Sequence, residues 1–319
     1  MAKTKFVLLP ILVLSLASLA TWGQRQWSTQ PAETPQTIQL EGGSRVEFRD
    51  FASSALGEQN PYSILVPPAY DKEPDRTFPV IYFLHGMNNN QTRWTQQRYD
   101  NIPLAIESLF LNDNVPQFLM VHPYGKNPFF TNYEDGSWNG EEYIYKDLIQ
   151  EIEKNFRVKA GRANRVIAGT SLGGFAALKI AMKYPDLYSS VAAGSPIILL
   201  GDDPSKLLNT SSGGAVRRFA SLFNPVFGTP FNQDHWLENS VEVLARTADL
   251  KDLKVYLSYG TADRYEAFFP MRQAIQILHQ ILTDRGVSSV FQVLEGEPHG
   301  WALIRADMEG SIEFLTETF

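Results

Sequence analysis

The chain contains no cysteine, which excludes disulfides, a thiol nucleophile and any thiolate metal site. Its stability must therefore come from packing. It also lacks a basic excess: 28 Lys and Arg against 35 Asp and Glu give a net charge of −7. A field of that sign repels polyphosphate, so neither nucleic acid nor an anionic membrane surface is expected as the main partner. After the N-terminus there is no apolar run long enough to span a bilayer, no internal repeat and no second linker. No metal or organic cofactor is implied.

What is present is a globular composition, with 319 residues and 44% apolar content, enough for one domain of about 250 to 300 residues. The N-terminus "MAKTKFVLLPILVLSLASLATWGQ" carries Lys3 and Lys5, an apolar run from Phe6 to about Leu19, then small residues. It reads as a signal peptide over 1–20, with Ser18-Leu19-Ala20 as the cleavage site, giving a secreted or periplasmic protein without stable membrane association. An uncleaved anchor is the alternative. Residues 21–37 are polar and carry prolines, as a linker does. The catalytic domain is then expected over 38–319.

Within that span β-rich and helical patterns alternate. "YSILVPP", "FPVIYFLHG", "PQFLMVHPYG", "ANRVIAGT", "SSVAAGS", "DLKVYLSYG" and "SSVFQVLEG" read as strands. Their nearly continuous apolar runs suit a parallel sheet buried on both faces. Helices are expected over 139–156, 172–185, 268–285 and 301–318, the first with Tyr143, Leu148, Ile149, Ile152 and Phe156 on its apolar face. Strand–helix alternation predicts an α/β fold, a mostly parallel central sheet with helices on both faces. Residues 195–245 break the rhythm and read as an insertion over the site.

The chemistry centres on "IAGTSLGGFAALKIA", where Gly169, Ser171 and Gly173 have the G-x-S-x-G spacing of a nucleophile elbow. Chance alone supplies that pattern in roughly one chain of this length in ten. Here a β-branched run precedes it and a helix follows, which is the context a strained strand–turn–helix nucleophile requires. A serine hydroxyl also needs a base. Of the five histidines, His279 sits inside a helical pattern, His235 falls in the insertion, and His85 and His122 precede the serine. His299, between the last strand and the last helix, has the chain order expected of the base. Between serine and base, "YGTADRYEAF" offers Asp263 as the orienting acid, with Glu266 in reserve. The Leu172 N–H and the Met87 N–H, the latter in the loop after "YFLHG", are nominated as oxyanion donors on position.

Together "YSILVPPAYD", "FPVIYFLHGMNNN", "RVIAGTSLGGFAALKIAMKYPDLYSS", "YGTADRYEAF" and "EGEPHGW" resemble the esterase family of α/β-hydrolases. That family takes in esterase D and S-formylglutathione hydrolase, feruloyl and acetylxylan esterases, enterochelin esterases and mycolyltransferases. The resemblance implies an α/β-hydrolase fold and a serine carboxylesterase, with nucleophile Ser171, acid Asp263, base His299 and oxyanion donors Met87 and Leu172. Many members read Gly-His-Asp-Trp at the base, whereas this chain has Pro298-His299-Gly300-Trp301. Aromatics of 124–138, with Tyr133 and Trp138 foremost, and Trp301 are expected to hold the acyl group or a sugar; packing beneath a long loop explains those of 124–138 equally well. The expected partner is a small-molecule or glycan ester. An acyltransferase with a sugar acceptor and a non-catalytic carbohydrate-binding hydrolase fold are the rival readings, and no oligomeric state is indicated.

Overall fold

Period-two alternation sorts the strand residues between two cores. Val80, Tyr82 and Leu84 face one and Ile81 and Phe83 the other, as do Ile167 against Val166 and Ala168, and Leu257 against Tyr256. Both faces being buried, the strands read as unbroken apolar runs, and a one-residue slip would exchange the two cores. The computed structural model describes residues 36–205 and 214–319; the expected signal peptide at 1–20 and nearly all of the linker at 21–37 lie outside the described residues.

The strands are β1 (Thr37–Gln39), β2 (Arg45–Ser53), β3 (Glu58–Val66), β4 (Val80–Leu84), β5 (Leu119–Pro123), β6 (Arg165–Thr170), β7 (Ser190–Gly194), β8 (Lys254–Gly260) and β9 (Ser289–Leu294). They form one sheet in the order β1-β2-β3-β5-β4-β6-β7-β8-β9. The pairs from β5–β4 through to β8–β9 are parallel, and β1, β2 and β3 add antiparallel at the other end. This is the α/β-hydrolase fold. On one face lie the helix around 140–155, the helix Leu172–Lys183 and the helix Met271–Asp284; on the other lie Ile102–Leu111 and the C-terminal pair Trp301–Ala306 and Met308–Thr316.

The expected helix at 139–156 runs as Gly140–Glu142, a π-helical turn Tyr143–Leu148, and Ile149–Asn155. Its buried residues Tyr143, Ile144, Leu148 and Ile149 recur at a spacing of five, which a π turn keeps on one face and an α-helix would not. The insertion at 195–245 is largely helical among its described residues, with helices Gly214–Phe227, Gln233–Asn239 and Val241–Thr247. Phe219, Phe223, Val226 and Phe227 form its apolar stripe, and Phe219, Phe223 and Phe227 close edge-on around Phe129.

One buried ion pair fastens the helix behind the elbow. Lys179 donates to Glu141 and to the Phe130 carbonyl at 2.9 Å, while Lys183 and Tyr184 reach Glu141 at 2.7 and 2.9 Å. Burial alone would raise the Glu141 carboxyl, but Lys179 and Lys183 outweigh it and hold it down at about 2. Burial pushes Lys179 down only to about 8, so both partners are charged at neutral pH. The folded value of Glu141 lies below its unfolded one of about 4.3. Its stabilisation is therefore complete above that unfolded value and is lost as pH falls toward 2. Glu141→Gln should strand the Lys179 ammonium and cost about 3 kcal/mol at pH 7. In urea unfolding across a pH series, the variant should lose less stability than wild type between pH ~5 and ~2.

Candidate active site

The elbow follows from three close backbone approaches. A Cβ on Gly169 would meet the Gly173 carbonyl oxygen at 2.2 Å, and a Cβ on Gly173 would meet the Leu84 carbonyl oxygen at 2.1 Å. Only glycine lets β6, the turn and the following helix pack this tightly. Across the turn, a Cβ on Gly86 would lie 2.9 Å from the Ser171 Cβ, so the loop after β4 passes directly against the serine. Ser171 itself has φ 58° and ψ −122°, a conformation that costs a non-glycine residue of order 1–3 kcal/mol. The end of β7 and the residues beyond it hold it there: the Ser171 N–H donates to Gly194 O at 3.0 Å, and the Ser171 carbonyl accepts from the Ile197 N–H at 3.2 Å.

His299 and Asp263 meet at the ends of β9 and β8. The His299 Nδ1 lies 2.5 Å from Asp263 Oδ2, and the other carboxylate oxygen accepts the Tyr265 N–H at 2.9 Å. Burial works against ionisation of Asp263. The hydrogen bond and charge of His299, with the Tyr265 N–H, outweigh it and hold the carboxyl below its usual range. With Nδ1 committed to the carboxylate, Nε2 is the nitrogen left to take a proton. The Tyr265 ring meets the imidazole edge-on at 4.6 Å. Glu266, the reserve acid, points elsewhere: it accepts from the Tyr259 hydroxyl at 2.9 Å and the Arg272 N–H at 3.0 Å.

Ser171 and His299 line one cleft of about 360 Å³, together with Met87 and Trp301. Leu172 opens the helix behind the serine, where a first-turn N–H has no intrahelical acceptor. Among the described residues neither the Leu172 nor the Met87 N–H is engaged by a loop or turn carbonyl. The loop bearing Met87 is pinned from below. The Trp94 Nε1–H donates to Ser63 Oγ at 2.9 Å, whose hydroxyl donates to the Gln91 carbonyl at 2.6 Å. The buried His85 donates from Nδ1 to the Gly86 carbonyl at 2.9 Å and accepts the Gly125 N–H on Nε2 at 3.0 Å; burial lowers its pKa to about 4, so it stays neutral.

The expected substrate contacts divide. Trp301 borders the cleft, but its ring is nearly buried, stacks on Phe83 at 5.9 Å, and donates from Nε1 to Asn89 Oδ1 at 3.2 Å. That bond ties the segment of His299 to the loop of Met87. Tyr133 and Trp138 are not among the residues lining the cleft. Trp138 is buried against Tyr133, ring to ring at 5.3 Å, so these two aromatics correct the expectation: they pack beneath their loop. The remaining histidines are structural, His122 buried among Phe83, Trp94 and Trp301, His235 bonded to the Asn132 carbonyl, and His279 to Ser289. Sequence reasoning passed over three arginines that line the cleft, Arg93, Arg98 and Arg264. Arg93 and Arg98 stand in the loop after β4 and Arg264 follows Asp263 at the end of β8; their position after strand ends was the available signal.

Residues 53–312 match the family model described as "Putative esterase". A 144-residue stretch, 43% of the chain, is 29% identical to an endo-1,4-beta-xylanase/feruloyl esterase of Xylanibacter ruminicola, of which it covers 20%. An esterase of Mycobacterium tuberculosis is 27% identical over 248 residues, 75% of this chain and 51% of that protein. The chain thus spans about half or less of the length of these curated relatives. A ferulic acid esterase structure superposes with a TM-score of 0.70 at 22% identity, covering 86% of this chain and 98% of that one. An S-formylglutathione hydrolase from Agrobacterium tumefaciens gives 0.69 at 16%, covering 89% and 98%.

Proposed function

The chain belongs to the esterase family, and on that premise we propose that it is a serine carboxylesterase that works through an acyl-enzyme. The observation that carries this reading is the His299–Asp263 bond at the rim of a cleft that also holds a serine in a strained turn. Ser171 Oγ attacks the ester carbonyl as its proton passes to His299 Nε2, and the Leu172 and Met87 N–H groups take up the oxyanion charge. Collapse breaks the bond to the alcohol, which leaves with the proton from His299. Water then attacks the acyl-serine by the same route and frees the acid. Asp263 holds the imidazole in the required tautomer and stabilises its cationic form throughout.

The names of the relatives, a xylanase/feruloyl esterase and a ferulic acid esterase, support hydroxycinnamoyl esters of glycans as the first substrate class to test. Export, supported by the residues 1–20, would bring the enzyme to such polymers; no helix among the described residues is long and apolar enough to cross a membrane. A panel of acetyl, butyryl and feruloyl esters with and without a glycan acceptor tests the reading. Hydrolysis with release of free acid is expected, with feruloyl esters favoured. Acyl transfer to the glycan without hydrolysis would replace it by the acyltransferase reading.

A further inference from the structure

Ser195 is the residue directly after β7, and its segment touches both the nucleophile and the strand that leads to the acid. On one side, Gly194 accepts the Ser171 N–H at 3.0 Å, and the Ile197 N–H donates to the Ser171 carbonyl at 3.2 Å. On the other, the Ser195 N–H donates at 2.8 Å to the Ser258 carbonyl of β8, the strand that Asp263 follows. Residues 194–197 therefore bridge the two strand ends that carry Ser171 and Asp263. Ser195 is fully buried, and its φ of 39° is one that glycine adopts more readily than serine. The hydroxyl is kept there at a cost in backbone strain.

Among the described residues that hydroxyl completes no hydrogen bond of ordinary geometry, and a buried donor left so costs free energy. The charged group beside it is Asp263, whose ionised form it favours. The Asp263 carboxylate takes the His299 Nδ1–H on one oxygen and the Tyr265 N–H on the other. An ionised carboxylate has about four lone-pair sites, which leaves room for a third donor. Catalytic hydrogen bonds are often long in the free enzyme and tighten once substrate is bound. Resting on the esterase reading, we propose that Ser195 is a positioning residue: in the reacting enzyme its hydroxyl donates to the Asp263 carboxylate and, by fixing it, holds His299 in line with Ser171. This third bond stabilises the carboxylate as an anion while the imidazole carries the serine proton, so the proton stays on His299. Ser195 acts through Asp263 alone and exchanges no proton itself.

The test measures kcat and KM for p-nitrophenyl acetate in Ser195→Ala, Ser195→Gly, Asp263→Ala and the double variant Ser195→Gly, Asp263→Ala, each normalised to folded protein by circular dichroism. Both single Ser195 variants should lose kcat by about ten- to a hundredfold, the scale of one hydrogen bond to a charged group, with KM nearly unchanged. Glycine accepts a φ of 39° without strain, so its variant should fold at least as well as wild type and decides the matter even if the alanine variant does not fold. In the Asp263→Ala background the same Ser195→Gly change should cost less than about threefold, because the hydroxyl works only through the carboxylate. A purely structural role in the turn gives another pattern. Full activity of either folded Ser195 variant, or a Ser195→Gly loss that carries over undiminished into the Asp263→Ala background, overturns the proposal and leaves the esterase reading intact. Failure of the wild-type protein to hydrolyse p-nitrophenyl acetate or any ester of the panel above overturns the esterase reading and the proposal with it.

Discussion

Replacing Ser171 by alanine should lower kcat for ester hydrolysis by about five to six orders of magnitude, the scale on which serine hydrolases lose rate when the nucleophile goes. The fold should survive. The Ser171 backbone is held by Gly194 and Ile197, contacts a side-chain change does not touch. Glycine at the same position should be equally inactive but more stable, because φ 58° and ψ −122° strain any side-chain-bearing residue; relief of about 1–3 kcal/mol is expected. Urea unfolding of the serine, alanine and glycine proteins measures it. Equal stability of the serine and glycine forms would show that the elbow stores no strain.

Asp263→Asn should cost about 10⁴-fold in kcat with little change in KM. An amide cannot accept the Nδ1 proton and stabilise the cation at once, so the ring is left in the wrong tautomer for Nε2 to act as base. Glu266→Gln is the control: Glu266 is satisfied by Tyr259 and the Arg272 N–H and should matter far less. A larger loss from Glu266→Gln than from Asp263→Asn would mean that the acid is misassigned. Since the charge and hydrogen bond of His299 hold Asp263 below its usual range, its carboxylate should not limit activity until pH falls below the ordinary Asp value of about 3.9.

Seven of the nine strands, β3 to β9, and the elbow were legible because sterics act locally on them. Continuous apolar runs mark doubly buried strands, and Gly169 and Gly173 stand where an added Cβ would run into a backbone carbonyl oxygen. The meeting of Asp263 and His299 was legible for a related reason, since each follows a strand end. What escaped was settled by distant partners. Strand β2 is not among the expected strands; it alternates Arg45, Glu47 and Arg49 with apolar residues, and these charges pair as Arg45–Glu47 and Arg49–Glu47. The helix Ile102–Leu111 buries Glu107, which accepts the Gly42 and Ser44 N–H groups at 3.0 and 2.8 Å, a tie 65 and 63 residues long that no local pattern announces. Trp138 stayed open between two readings for the opposite reason, because an aromatic in a polar loop offers a stacking platform and a core plug in the same letters.

The central claim, that Ser171 is an activated nucleophile, is tested most directly by labelling the intact protein with a fluorophosphonate and locating the adduct by mass spectrometry. A single adduct in the tryptic peptide spanning 166–179, absent from Ser171→Ala and much slower to form in His299→Ala, is the predicted result. A protein that hydrolyses esters yet carries its adduct outside that peptide, or that still labels and turns over as Ser171→Ala, would contradict it.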